Sequence, residues 1–305
     1  MNVRLAWLLT VTAVILPAGE TSAKPRFEPV AKASGGVVAG SRYIAWPGTG
    51  GGAPIRLVDM KKGEQRAVPL PPGCESGWAP SKIGAGKLVW ECYENEALVQ
   101  DIASGAEYHV DLSGGDADGV GARWVRILVP GDDHDYQSYA WTDYRTGEGP
   151  SSRAARRALY RRRWVDDLDF PSLARRLCAP IQRDRASGPL FQAFQYEKPW
   201  ALRILDYRRL LLDRCGRSST ILAKRPVRNQ VLRDGWVTWA DARGVHAYLP
   251  RTRRSVGWKL DEIGPHVADN CILQVTHTRR AIFVAATRDC FARSARIYIA
   301  RRPAG

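Results

Sequence analysis

The sequence predicts an all-β fold, a β-propeller of about six four-stranded blades, on three observations. Short runs rich in Val, Ile, Trp and Tyr alternate in steps of two, with Gly, Asp and Pro between them. A turn opened by aspartate recurs at Asp59, Asp101 and Asp143, each 42 residues from the next. No segment keeps apolar residues at helical spacing over a dozen positions, and the nearest, Ala154 to Trp164, is mostly arginine.

The N-terminus is set apart from the repeats. Arg4, the apolar run Leu5 to Leu16, the breakers Pro17 and Gly19, and the small residues Thr21, Ser22 and Ala23 predict a signal peptide over residues 1–23. An uncleaved anchor is the competing reading. No later segment approaches the roughly 18 apolar residues of a membrane span. The expected mature chain, 24–305, is therefore soluble and extracytoplasmic, either secreted or in the cell envelope. It is expected to be a single propeller-like domain with a basic insertion around 148–164.

Loss of residues 1–23 removes one Arg and one Glu, so the net charge stays at +15. Such an excess attracts anionic partners and says nothing about fold. For an exported chain these are anionic envelope polymers or another envelope protein, and nucleic acid is not expected. The six cysteines, Cys74, Cys92, Cys178, Cys215, Cys271 and Cys290, form an even set in an oxidising compartment. Fifteen pairings exist for six cysteines. The sequential one, 74–92, 178–215 and 271–290, is favoured because each pair flanks strand-like sequence. There is no Cys-x-x-Cys and no His pair at ligand spacing, so structural disulfides outrank a zinc site.

The repeating unit is clearest in Leu88 to Ala106, "LVWECYENEALVQDIASGA": a strand, a polar break, a second strand, then an Asp-x-x-x-Gly turn. Residues 42–64 follow the same plan, and Tyr139-Ala-Trp141 running into Asp143 and Gly147 reads as a compressed copy. Gly86-Lys-Leu-Val-Trp90 and Gly235-Trp-Val-Thr-Trp239 open two strands with one phrase. Val245 to Leu249, a Pro-Arg-Thr-Arg turn and Ser255 to Lys259 make a further hairpin, and Ala281 to Ala286 with Arg296 to Ala300 a last one. Five or seven blades, or a pair of β-sandwiches, compete with six. A ring of small sheets suits 282 residues because each blade needs only its neighbours, whereas one core of that size is near its limit.

The succession "YIAW … IRLVDMKKGE", "KLVWE … ALVQDIASGA" and "YAWTDYRTGE" resembles the blades of WD40-like and TolB-like propeller proteins, over residues 36–147 and 230–300. The Gly-His and Trp-Asp pairs of WD40 repeats are absent, as is the Asp-Pro and Ser-Pro-Asp-Gly pattern of TolB-type blades, so no site residues carry over. The resemblance implies a platform for binding other molecules.

Candidate chemistry is sparse. Asp132, Asp133, His134 and Asp135 form either a charged hairpin loop or a cation or general-base site. Gly114 to Gly119 has the opening rhythm of a calcium loop but lacks its closing Glu, and reads as a linker. Arg153, Arg156, Arg157, Arg161, Arg162 and Arg163, interleaved with Tyr160 and Trp164, are the candidate anion-binding residues, set against plain surface decoration. Trp46, Trp90, Trp141 and Trp239 sit at strand positions and read as core, whereas Trp78 and Trp200 stand beside prolines in loops and suit carbohydrate stacking. No nucleophile motif, phosphate loop or cofactor motif is present, so no catalytic residue, metal ligand or cofactor is assigned. The expectation is a non-enzymatic, disulfide-stabilised binding or scaffold protein. Its alternative is a propeller hydrolase or lyase acting on polysaccharide, with Asp and His at the channel mouth.

Overall fold

The computed structural model describes residues 24–303, apart from 51–52, 75–79, 94, 130–137, 153–154, 156–190, 198, 206–207, 215–217, 266, 268–270 and 288–293. The alternating runs fold as antiparallel sheets in which successive strands lie side by side. The first sheet orders β2 (Val38–Ala39), β3 (Tyr43–Pro47), β4 (Ile55–Asp59) and β5 (Glu64–Val68). The second orders β6 (Lys82–Gly84), β7 (Lys87–Tyr93), β8 (Glu96–Asp101) and β9 (Glu107–Asp111). The third has three strands among the described residues: β10 (Asp116–Val120), β11 (Trp124–Val129) and β12 (Ser138–Asp143).

The fourth comprises β13 (Phe191–Glu197), β14 (Trp200–Leu205), β15 (Arg209–Arg214) and β16 (Ser218–Ala223). The fifth comprises β17 (Arg228–Arg233), β18 (Trp236–Asp241), β19 (Gly244–Leu249) and β20 (Arg254–Lys259), which leads into the short helix α1 (Leu260–Ile263). In the sixth, β21 (Ile272–His277), β22 (Ala281–Ala286) and β23 (Ala295–Arg301) are joined by β1 (Glu28–Ala33) from the other end of the chain. Strands β1 and β23 pair antiparallel from Glu28↔Ile299 to Ala33↔Ala295.

The hydrophobic cores lie between sheets. Period-2 alternation sends successive side chains of one strand to opposite faces, and here both faces are buried. In β22, Ile282, Val284 and Ala286 pack toward the fifth sheet, whereas Ala281, Phe283 and Ala285 pack toward the first. In β8, Leu98 faces the first sheet while Ala97 and Val99 face the third. Trp236 of β18 joins the core with the sixth sheet, and Trp239 joins the core with the fourth. These cores connect the sheets in the order fourth, fifth, sixth, first, second, third. Trp46, Trp90, Trp141 and Trp239 are all buried, as their strand positions require. Burying a large apolar side chain contributes about 1.5–3 kcal/mol, and the tryptophans anchor these layers.

The recurring aspartates have one structural role. Asp59, Asp101 and Asp143 end β4, β8 and β12, the third strand of their sheets. The amides of Gly63, Gly105 and Gly147 donate to their carbonyls at 2.7, 2.9 and 2.8 Å. The carboxylates accept from the amides of Lys61, Ala103 and Arg145 at 2.9, 2.8 and 3.0 Å. The three glycines hold φ of +77°, +74° and +73°, the left-handed region that closes such turns. A cation from the preceding hairpin caps each carboxylate: Arg42 on Asp59, Lys87 on Asp101 and Arg123 on Asp143.

Two expectations are corrected. The third sheet is not a compressed copy: its second strand is β11, and Trp141 sits with Asp143 in its third, whereas Trp46 and Trp90 lie in second strands. Residues 116–119 of the expected linker lie in β10, whose Ala117 amide is held by the Glu91 carboxylate of the neighbouring sheet. A glycine-rich stretch can serve as a strand here because β10 carries a bulge between Ala117 and Gly119. Cys74 and Cys271 are both disulfide-bonded. The other sulfurs lie outside the described side chains, as do Arg153, Arg156, Arg157, Arg161, Arg162, Arg163, Trp78, Asp132, Asp133, His134 and Asp135.

Candidate anion-binding cleft

One end of the sheet stack is built from short hairpin turns, and in the fourth, fifth and sixth sheets these surround a cleft of about 1050 Å³. That is at the upper end of the roughly 300–1,000 Å³ typical of small-molecule sites. Glu197 ends β13 and Trp200 opens β14, Asp234 and Gly235 come from the β17–β18 turn, and Arg251 and Arg253 from the β19–β20 turn. Arg214 closes β15, Arg279 lies in the β21–β22 turn, and Arg302 follows β23.

Local chemistry explains these positions. Asp234 and Gly235 hold φ of +52° and +75°, the paired left-handed conformation of a two-residue hairpin, which favours Asp-Gly. The Gly235 amide donates to Glu197 Oε2 at 2.8 Å and so ties the fifth sheet to the fourth. In the four-residue turn 250–253, Arg253 takes φ of +57°, and Arg251 and Arg253 are exposed.

Arginine dominates the electrostatics of the cleft. Arg279 Nε donates to Asp234 Oδ1 at 3.2 Å. The Arg214 guanidinium lies over the Trp200 ring, 5.7 Å from its centroid, and Arg302 lies over Trp236 at 5.1 Å. Burial draws the Arg302 pKa down from its usual value; attraction to Asp234 opposes this, and repulsion from Arg251 adds to it. Arg251 and Arg253 have no carboxylate partner among the described residues. Asp234 has only 6% of its side chain exposed, and its Oδ2 has no hydrogen-bond partner among the described residues. The basic surface continues onto the first sheet, where Arg280 Nη1 reaches the Met60 and Lys61 carbonyls at 3.4 and 3.5 Å, beside the exposed Lys61 and Lys62.

The described histidines do not gather at a common point. His277 is fully buried between the fifth and sixth sheets, with Nδ1 2.8 Å from Thr238 Oγ1 and Nε2 2.9 Å from the Arg233 carbonyl. Arg233 in turn donates to the carbonyls of His277 and Ala39, bridging the fifth, sixth and first sheets. His246 stacks on Trp239 and lies 3.0 Å from Asp241, whose carboxylate also accepts from the Arg243 amide within its hairpin. His109 lies at the surface, 3.5 Å from Glu96.

Trp200, singled out by its place beside Pro199, lies in the cleft. The arginines found there were not distinguishable in sequence, since they are spread over 214–302 in a chain rich in arginine. The aspartate before Gly235 was the available signal.

Several solved structures resemble the chain over most of its length at low sequence identity. The β-propeller domain of Cps50 (Swd1) from Myceliophteria thermophila is similar at 7% identity and a TM-score of 0.49, with 90% of this chain and 99% of that one covered. BamB from Moraxella catarrhalis is similar at 14% identity and a TM-score of 0.37, covering 87% and 84%. PorZ, an essential bacterial surface component of the type-IX secretion system of Porphyromonas gingivalis, is similar at 11% identity and a TM-score of 0.49. The match covers 85% of this chain but only 36% of PorZ, about a third of its length. No family model and no curated protein matches the chain.

Proposed function

We propose that this protein is an extracytoplasmic β-propeller of six blades, acting in the cell envelope or outside the cell as a non-enzymatic scaffold that holds anionic polymers. The observation that carries this reading is the cleft, where Arg251 and Arg253 stand exposed without carboxylate partners among the described residues. Guanidinium forks bind carboxylate and phosphate in bidentate fashion, which suits such a ligand. In this reading the third sheet closes against the fourth to complete the ring, and β1 beside β23 fastens the last blade. Disulfides 74–92, 178–215 and 271–290 brace the loops, and residues 1–23 are removed on export. The insertion arginines, Arg153, Arg156, Arg157, Arg161, Arg162 and Arg163, supply a second basic contact.

The test is co-sedimentation of the chain from Lys24 onward with cell-envelope fractions across a salt series. One variant carries Arg251→Ala and Arg253→Ala; a second carries Arg156→Ala, Arg157→Ala, Arg161→Ala and Arg162→Ala. Binding that falls steeply with salt and is weakened mainly in the first variant supports the cleft. Binding indifferent to salt and to both variants, or none, overturns the reading.

A further inference from the structure

We propose that the cleft takes an acidic saccharide, a hydroxyl-bearing sugar unit with a carboxylate or phosphate substituent. The inference rests on the reading of the cleft as an anion site and names its ligand class. Three features converge. Arg251 and Arg253 offer charged donors at the cleft rim. Trp200, half-buried in the wall, offers an aromatic surface of the kind on which sugar rings stack. The third feature is Asp234.

Asp234 would be out of place in a site for a plain polyanion, because its carboxylate repels the ligand. Its Oδ1 is engaged by Arg279, but Oδ2 is buried at the cleft and without a hydrogen-bond partner among the described residues. A buried carboxylate oxygen calls for a donor. Surrounding guanidinium groups disfavour a metal ion there. A sugar hydroxyl is a donor without charge, and it comes on the same molecule as the anion that the arginines hold. Selection then follows: neutral sugars lack the charge, and simple polyanions lack the donor.

The experiment is calorimetric titration of the chain from Lys24 onward with an oligogalacturonate, a sugar phosphate and inorganic polyphosphate. It compares the natural protein with Asp234→Asn and with the pair Arg251→Ala and Arg253→Ala. Asparagine tolerates the left-handed conformation that residue 234 holds, so the turn persists; circular dichroism and an unchanged melting temperature check this. The substitution replaces a carboxylate oxygen by an amide donor and removes one negative charge. Asp234→Asn is expected to weaken binding of at least one of the two sugar probes about tenfold, and to leave polyphosphate binding unchanged or tighter. These opposite signs separate hydroxyl recognition from charge attraction. A sugar phosphate that responds while the galacturonate does not assigns the charge to phosphate and keeps the proposal. If Asp234→Asn tightens all three, or only polyphosphate binds, the saccharide proposal is overturned and the anion site stands. If the arginine pair changes nothing, or no probe binds, the anion site itself fails.

Discussion

Protonation of His277 should govern the acid side of stability. Burial, with repulsion from Arg233, lowers its pKa well below 6.5, although the hydrogen bond to the Arg233 carbonyl opposes this, and Arg302 repels it as well. Thr238 and the Trp236 ring, 4.2 Å away between centroids, complete its surroundings. The native ring therefore stays neutral where the unfolded one protonates. Below pH 6.5 the unfolded state binds more protons, so the stability present above that pH is lost as the pH falls. At about pH 5 the stabilisation of the unfolded chain, RT ln(1 + 10^1.5), is about 2 kcal/mol, and the slope approaches 1.4 kcal/mol per pH unit. Urea unfolding followed by tryptophan fluorescence at about pH 5, 6 and 7.5 measures it. The His277→Gln variant removes this titration and leaves every other group in place. The natural protein should lose more than the variant between pH 7.5 and pH 5, by up to about 2 kcal/mol. Equal losses would refute the argument, because another group would then carry the pH dependence.

Further substitutions probe the repeat. Gly105→Ala and Gly147→Ala, at φ of +74° and +73° with nothing within 4 Å of a new Cβ, should each cost about 1–2 kcal/mol in urea unfolding, and Gly105→Asn much less. Gly244→Ala brings a Cβ to 1.9 Å from the Trp258 carbonyl oxygen, a backbone clash that should cost more than about 3 kcal/mol and show as failed expression or a collapsed melting temperature. Asp101→Ala should cost about 1–3 kcal/mol, since it strands the largely buried Lys87 ammonium 2.5 Å away. The Lys87 hydrogen bond lowers the Asp101 pKa below its ordinary 3.8, so the carboxylate contributes fully above that pH and less as acid protonates it. Acid titration of the natural protein and of this variant should converge at low pH.

Much of the architecture was legible because local chemistry repeats. The aspartate turns at 59, 101 and 143 fold alike since each glycine and carboxylate answers the same two backbone demands. Buried tryptophans marked strands because a propeller-like stack buries both faces of a sheet. Residues 116–119 were misleading: a strand whose neighbours supply the packing needs little apolar character of its own, and Glu91 fixes it from outside. The cleft was mostly illegible. Glu197, Asp234, Arg251 and Arg302 meet only because three sheets stack, and no short-range pattern encodes that meeting. Trp200 was picked out by the neighbouring Pro199 for a loop, but it opens β14 and packs against the core between the fourth and fifth sheets, because the two-residue turn before it ends at the proline.

Hydrogen–deuterium exchange of the chain from Lys24 onward, with and without oligogalacturonate, tests the central claim most directly. The account predicts slowed exchange in the β17–β18 turn around Asp234 and Gly235 and in the β19–β20 turn around 250–253, abolished by Arg251→Ala with Arg253→Ala. Protection confined to the insertion around 148–164 or to the opposite end of the sheets, or no protection at all, would contradict it.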